Sequence, residues 1–246
     1  MVDIWLERTE LLIKEAGIER LKKSNILIVG MGGVGSFAAE FIARSGVGNL
    51  TIVDGDTVDV TNINRQLPAL HSTIGLDKVE LMARRILDIN PELNLTRINE
   101  FLNPERMEEI IQAGNFDYVL DCIDSVSPKL ALIKAAKRHK VKIISCMGAG
   151  GKMDPSKVMV RDISKTRNCY LAKQVRKRLK KEGINKGFRC VFSTELQRED
   201  SLKMTDGSNF KKSFYGTISY LPAIFGLYAA SEVIRYLIED RVKLNQ

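Results

Sequence analysis

The chain has 246 residues, 44% of them hydrophobic, with 38 Lys and Arg against 30 Asp and Glu, a net charge of +8. That is enough apolar chain to bury a full core as one large domain or two small ones, without internal repeats or low-complexity segments. The four cysteines, at 122, 146, 169 and 190, form no CxxC pair. This excludes the usual zinc spacing, and the residues read as reduced thiols.

The N-terminus, MVDIWLERTELL, places acidic residues early and has no apolar run, so it does not read as a signal peptide. Residues 25–30 read as a strand that turns on glycines into a helix over 35–44. Gly30, Gly32, Gly33 and Gly35 fit GxGxxG, in which backbone approaches phosphate and a helix start supplies N–H groups and positive dipole. A second strand over 50–54 ends in Asp54, where an acid accepts hydrogen bonds from ribose hydroxyls. To this point NAD and ATP fit equally well.

The next stretch separates them. DGD (54–56) leads to TNINRQ (61–66), and GLDK (75–78) opens a helix over 78–90. An NAD site has little use for Arg65 and Lys78 converging on its phosphates. A triphosphate attacked at its α-phosphorus needs cations there, because charge builds on that phosphorus and on the leaving pyrophosphate. Further strands are expected at 93–99, 118–121 and 142–146, with helices at 105–113 and 128–139. The fold class is therefore α/β, a Rossmann-like, doubly wound and mostly parallel sheet with its ligand at the carboxyl ends of the strands. Asp124, after the fourth strand, is placed to hold Mg2+ beside a nucleotide or to cap the following helix, and one residue can do both.

Beyond residue 151 the pattern becomes mixed. A strand at 158–162, a basic helix, a short strand at 190–193 and a polar segment at 196–212 precede an apolar helix at 221–238. Glu232 and Arg235 within that last helix point to a buried or subunit-interface element, with peripheral membrane contact a minor alternative. Residues 173–189 hold eight Lys or Arg against one acid, Glu182, a field aimed at a polyanion. Val175 and Leu179 would dock that helix and leave its charges outward. Cys190 is a nucleophile candidate, but nothing nearby in sequence lowers its pKa, and a half-buried thiol is the better reading.

GMGGVG, DGD, TNINRQ, GLDK and DCID (121–124), in this order and spacing, resemble the ubiquitin-activating-enzyme-like superfamily, whose members activate a carboxylate by attaching AMP to it. The resemblance implies that the glycines cradle phosphates and Asp54 binds ribose. It implies that Asp56, Asn62, Arg65, Lys78 and Ser125 belong to the nucleotide site, that Asp124 holds Mg2+, and that Arg8 reaches into a partner subunit's site. Arg8, Arg65, Lys78 and Asp124 would carry the chemistry. A homodimer is expected on the same grounds. Many relatives have Asn followed by Arg where this chain has Ser125 and Lys129. The two CxxC pairs of the sulfur-carrier-activating branch are absent.

DCIDSVSPKLALI, the glycines at 148, 150 and 151 followed by Asp154-Pro155, the basic helix and CVFSTE (190–195) look like one subfamily, the tRNA threonylcarbamoyladenosine dehydratases. That resemblance implies a cytoplasmic enzyme that uses ATP and Mg2+ to cyclise threonylcarbamoyladenosine in tRNA. The net loss is one water, through an acyl-adenylate. It implies that Lys173, Arg176, Lys177, Lys180 and Lys181 hold the tRNA backbone. Gly148–Gly151 follows the fifth strand, where either a substrate tail approaches closely or the chain simply turns. Residues 1–246 would be one adenylating domain, with 1–151 binding nucleotide and 152–246 contacting tRNA and forming the dimer. The alternative is adenylation of the C-terminus of a ubiquitin-like sulfur-carrier protein, and a sulfur-relay protein is a further candidate partner. An NAD-linked oxidoreductase leaves Arg65, Lys78 and Asp124 unexplained; a non-catalytic nucleotide sensor would bind without turnover.

Overall fold

The computed structural model describes residues 3–204 and 213–239. Seven strands form one sheet: β1 (Asn25–Val29), β2 (Asn49–Val53), β3 (Asn94–Ile98), β4 (Tyr118–Asp121), β5 (Lys142–Cys146), β6 (Val158–Asp162) and β7 (Arg189–Ser193). Their order is β3-β2-β1-β4-β5-β7-β6, parallel throughout except that β6 runs antiparallel to β7. Successive side chains of a strand point to opposite faces. In β1, Ile26 and Ile28 join one buried cluster while Leu27 and Val29 join the other.

Helices α1 (Glu7–Lys23), α2 (Gly35–Arg44), α3 (Lys78–Ile89) and α7 (Tyr220–Ile238) lie with the first cluster. Helices α4 (Pro104–Ala113), α5 (Val126–Arg138) and α6 (Tyr170–Lys180) cover the other face. The chain winds outward from β1 through β2 to β3, then returns to β4 beside β1. That reversal opens a crevice at the carboxyl ends of β1 and β4, where open α/β sheets take their ligands.

Helix α1 had no counterpart in the expected elements, and it breaks at Lys14, where φ is +65°. Its first half doubles back: Asp3 pairs with Lys22 at 3.1 Å, and Leu6 packs on Gly46 beyond the end of α2. Arg8 is therefore held near the amino ends of the strands, at the opposite end of the sheet from the glycine turn. The polar segment expected at 196–212 contains a strand, β8 (Leu202–Met204), which pairs with β9 (Ser213–Tyr215); residues 205–212 lie outside the described chain. Helix α7 is long and apolar enough to cross a membrane by length and composition. Its Leu221, Phe225, Ala229 and Val233 are nevertheless buried in the core, and Gly226 lets it close onto the start of α2.

Candidate active site

The glycine turn is built by close approach. A Cβ on Gly35 would overlap the Gly30 carbonyl oxygen, and Gly30 itself sits at φ +98°, a conformation that side chains resist. Gly33 lies 3.1 Å, measured from where its Cβ would stand, from both the Arg65 carbonyl and Pro222. No side chain caps α2; the Ser36 N–H is taken by the Gly32 carbonyl at 3.1 Å, and the positive end of the helix dipole faces the glycine turn, an arrangement suited to an anion. Beside Gly32, the Gln66 Oε1 is buried with no hydrogen-bond partner, an acceptor left for a donor that the chain does not supply.

Asp54 ties this turn to the next strand. Its Oδ2 accepts the Met31 N–H at 2.6 Å and its Oδ1 accepts the Asp56 N–H at 2.8 Å. Each oxygen keeps a second lone pair for a ligand hydroxyl. Burial pushes the Asp54 carboxyl above its ordinary value of 3.8, and the N–H donors and Lys78 offset this only in part. Lys78, buried at the first turn of α3, rests on Asp56 with Nζ 3.0 Å from Oδ2. Arg65 donates through Nη1 to the Thr61 carbonyl and to Asn64 Oδ1, both at 2.9 Å. Burial lowers the pKa of its guanidinium while the charge of Asp124, across the crevice, raises it.

Asp124 does not cap α5; Ser125 occupies that position, with extended backbone and no side-chain cap bond. The carboxylate of Asp124 is thereby left on the exposed loop. Asn62 is buried within its own turn, where its Oδ1 accepts the Asp59 N–H at 3.2 Å. The loop around Asp124 is set from below by an ion pair that spacing could not reveal. Lys129 Nζ donates to Asp121 Oδ2 at 2.8 Å, to Ser145 Oγ at 3.2 Å and to the Cys146 carbonyl at 2.9 Å, with both charged side chains fully buried. Asp121 Oδ1 in turn accepts the Ile123 N–H at 3.1 Å.

Gly30, Gly32, Gly33, Gly35, Asp54, Asp56, Arg65, Lys78 and Asp124 thus share one crevice, with Arg65 and Lys78 on one wall and the Asp124 carboxylate facing Arg65. A family model described as the ThiF family matches residues 6–246. The chain belongs to the ThiF family. Among its relatives, the tRNA threonylcarbamoyladenosine dehydratase of Bacillus subtilis is 43% identical over 240 residues, 95% of this chain and 94% of that one. The crystal structure of the Escherichia coli tRNA N6-threonylcarbamoyladenosine dehydratase in complex with ATP superposes with a TM-score of 0.86 at 38% identity, covering 96% of each chain. The molybdopterin-synthase adenylyltransferase of Haemophilus influenzae is 39% identical over 158 residues, 61% of this chain and 63% of that one.

Other expected site residues of this ThiF-family fold lie outside the crevice or are already engaged. Arg8 is exposed at the far end of its own sheet. Arg176, expected on a polyanion, donates through Nη1 to the Thr166 carbonyl at 2.9 Å and to the Thr166 hydroxyl, so it first serves to anchor α6. Lys173, Lys177, Lys180 and Lys181 are exposed, while Ala172, Val175 and Leu179 dock the helix. The net charge of that segment is reduced in the fold by Glu232 on Arg189 at 2.8 Å, while its one acid, Glu182, pairs outward with Lys134 at 3.1 Å. Gly150 and Gly151 are not open to a substrate tail: Tyr215 fills the space, its Cβ 2.9 Å from where a Gly150 Cβ would stand. Only Gly148 retains room. Cys190 is buried, and burial raises its thiol well above the ordinary value, which removes it as a nucleophile. Two residues to which the sequence reading gave no role frame the site. Lys129 is one. Lys152 is the other, donating to the carbonyls of Ser193 at 2.8 Å and Asn168 at 3.1 Å from beneath the second glycine turn.

Because the folded pKa of Asp54 is raised, the folded chain takes up this proton before the unfolded chain does. Acidification toward 3.8 therefore does not withdraw stability through this group, but it neutralises the acceptor that the family resemblance assigns to the ribose. The expected outcome is that ATP affinity, measured by calorimetry, falls with pH at values above 3.8, and that Asp54→Asn binds more weakly with a flatter pH profile.

Proposed function

We propose that this protein is an ATP-dependent tRNA threonylcarbamoyladenosine dehydratase. The observation that carries the assignment is the combination of a cation-walled crevice with likeness to a dehydratase over 95% of the chain. Likeness to molybdopterin-synthase adenylyltransferases covers 61% of the chain in one relative and 63% in another. We propose further that 1–246 act as one adenylating domain, since β5 of the nucleotide part pairs directly with β7 of the extension.

The substrate carboxylate is a poor electrophile. In the proposed reaction it attacks the α-phosphorus of ATP and pyrophosphate leaves. Arg65 and Lys78 balance the charge that develops, Lys78 by leaving Asp56 for the phosphates. A nitrogen of the same modification then attacks the acyl carbon and AMP departs, so the ring closes with net loss of one water. Nucleophile and electrophile share one side chain, which gives a high effective concentration and makes a covalent cysteine unnecessary. Asp124 suits Mg2+, which takes one or two carboxylates together with substrate phosphates; bound there it would supply charge neutralisation on the phosphates. No cluster of three or more metal-ligating side chains occurs among the described residues, in keeping with a metal completed by nucleotide oxygens.

The position of Arg8 makes sense in a homodimer, where it would serve the partner's crevice. The same helix exposes Leu11 and Leu12, and Ile4 just before it is 91% exposed, the apolar surface that a subunit interface would cover. The exposed lysines of α6 would hold the tRNA backbone in the cytoplasm, giving affinity without sequence reading.

Incubation with ATP, Mg2+ and tRNA bearing threonylcarbamoyladenosine, followed by mild neutral digestion and nucleoside mass spectrometry, is expected to give a product one water lighter. Lys78→Ala should lower its rate on the order of a hundredfold. An unchanged nucleoside alongside adenylation of a diglycine-tailed protein would favour the sulfur-carrier alternative. Mixing inactive Arg8→Ala and Asp124→Ala subunits should restore roughly a quarter of wild-type turnover, because half the dimers are mixed and each has one intact site. Charge reversal at Lys177 and Lys180 should weaken tRNA binding, lower its salt dependence and leave ATP affinity unchanged.

A further inference from the structure

Around the rim of the crevice stands a group of exposed aromatic side chains that neither the core nor the nucleotide site uses. Tyr170 opens α6 and is 60% exposed; Tyr220 opens α7 and is 40% exposed; Phe214 on β9 is 48% exposed. Two of them are tied to the second glycine turn from opposite sides. The Tyr170 N–H donates to Gln197 Oε1 at 3.3 Å, and Gln197 Nε2 donates to the Gly150 carbonyl at 3.3 Å. The Tyr220 hydroxyl donates to the Met153 carbonyl at 2.8 Å. Phe214 belongs to the hairpin whose next residue, Tyr215, fills Gly150 and Gly151.

The rim also borders the nucleotide wall. Pro222, two residues after Tyr220, packs on Gly33, and Asn64, the neighbour of Arg65, donates to the Thr217 carbonyl at 3.0 Å. Cations interleave with the rings. Lys173 lies one helical turn after Tyr170, and Lys203 stands directly opposite Phe214 in the β8–β9 ladder, so the two share a face.

We propose that Tyr170, Tyr220 and Phe214 form a stacking platform for unpaired loop bases of the RNA, next to the adenosine that enters the crevice. This rests on the dehydratase assignment above and deepens it by naming how that substrate is gripped. To bring its carboxylate to an α-phosphorus, the modified base must leave its stack, and its neighbours lose a stacking partner. Aromatic faces replace that partner for any base, and the interleaved lysines meet the backbone. The α6 helix runs from this rim down the flank of the sheet, carrying Lys177 and Lys180 away from the crevice. Loop bases at the rim and stem phosphates along α6 would then belong to one continuous track. A second copy of this chain is the competing occupant, but the core of a subunit interface is depleted of lysine, and here lysines alternate with the rings.

The test uses the full-length protein and an anticodon stem-loop RNA that carries threonylcarbamoyladenosine with 2-aminopurine at the adjacent loop position. Wild type is expected to quench the 2-aminopurine fluorescence. Tyr170→Leu and Tyr220→Leu are each expected to lose quenching and to raise KM for RNA about tenfold, with kcat at saturating RNA and ATP affinity unchanged. Tyr170→Phe, which keeps the ring, is expected to restore both. Wild-type KM and quenching in the Leu variants would overturn the platform, as would a fall in oligomeric mass in those variants, which would assign the rings to a subunit interface. Wild-type protein that converts no RNA would overturn the dehydratase assignment itself, a result distinct from active wild type with unaffected variants.

Discussion

Everything at the carboxyl end of the sheet rests on one buried ion pair. Lys129 rises from the first turn of α5 into the buried interior, and its ammonium is shared among the Asp121 carboxylate, the Ser145 hydroxyl and the Cys146 carbonyl. Those three acceptors belong to the ends of β4 and β5, so the pair joins two strands to the helix that follows. Breaking such a pair by removing one partner costs about 3–5 kcal/mol, because a buried charge is left uncompensated. Burial alone drives the Asp121 carboxyl upward, and Lys129, Ser145 and the Ile123 N–H pull it back. The loop carrying Asp124 begins at the residue after Asp121 and inherits its position.

Asp54 plays the corresponding part on the other wall. It holds Met31 of the glycine turn and Asp56 of the next loop at once, so the glycine turn and the resting partner of Lys78 are set by one carboxylate. The crevice is therefore organised from beneath at β1, β2, β4 and β5 before any ligand arrives. Pre-positioned charges of this kind need little rearrangement when charge develops on a phosphate.

How much of this was legible follows from where each signal resides. The glycine turn, Asp54 and the five parallel strands are local patterns, and they lie within a residue or so of their expected bounds. Cys190 lies on the expected short strand, fully rather than half buried. Lys129 was noticed only as a departure from a family pattern, because its partners are 8, 16 and 17 residues away and are brought together by strand order alone. The doubling back at Lys14 is a tertiary event: Leu6 closing on Gly46 decides where Arg8 lies, and no periodicity in LERTELL encodes it. Arg176 was counted as a surface cation from its neighbours, while the loop carbonyl at Thr166 claims it. Gly150 and Gly151 read as open turns, yet the hairpin residue that fills them comes more than sixty positions later.

The way the lysines nearest the crevice are held has a chemical consequence. An acyl-adenylate reacts with any unprotonated amine within reach, and a lysine attacks only in that form. Lys78 is sheathed and paired with Asp56, Lys129 is sealed on Asp121, and Lys152 is buried with two carbonyls as acceptors. In the resting chain each nitrogen is engaged by acceptors and held out of solvent. A catalyst that makes such a mixed anhydride is thereby spared acylation of its own framework, and the tethered nitrogen of the substrate is left as the available nucleophile.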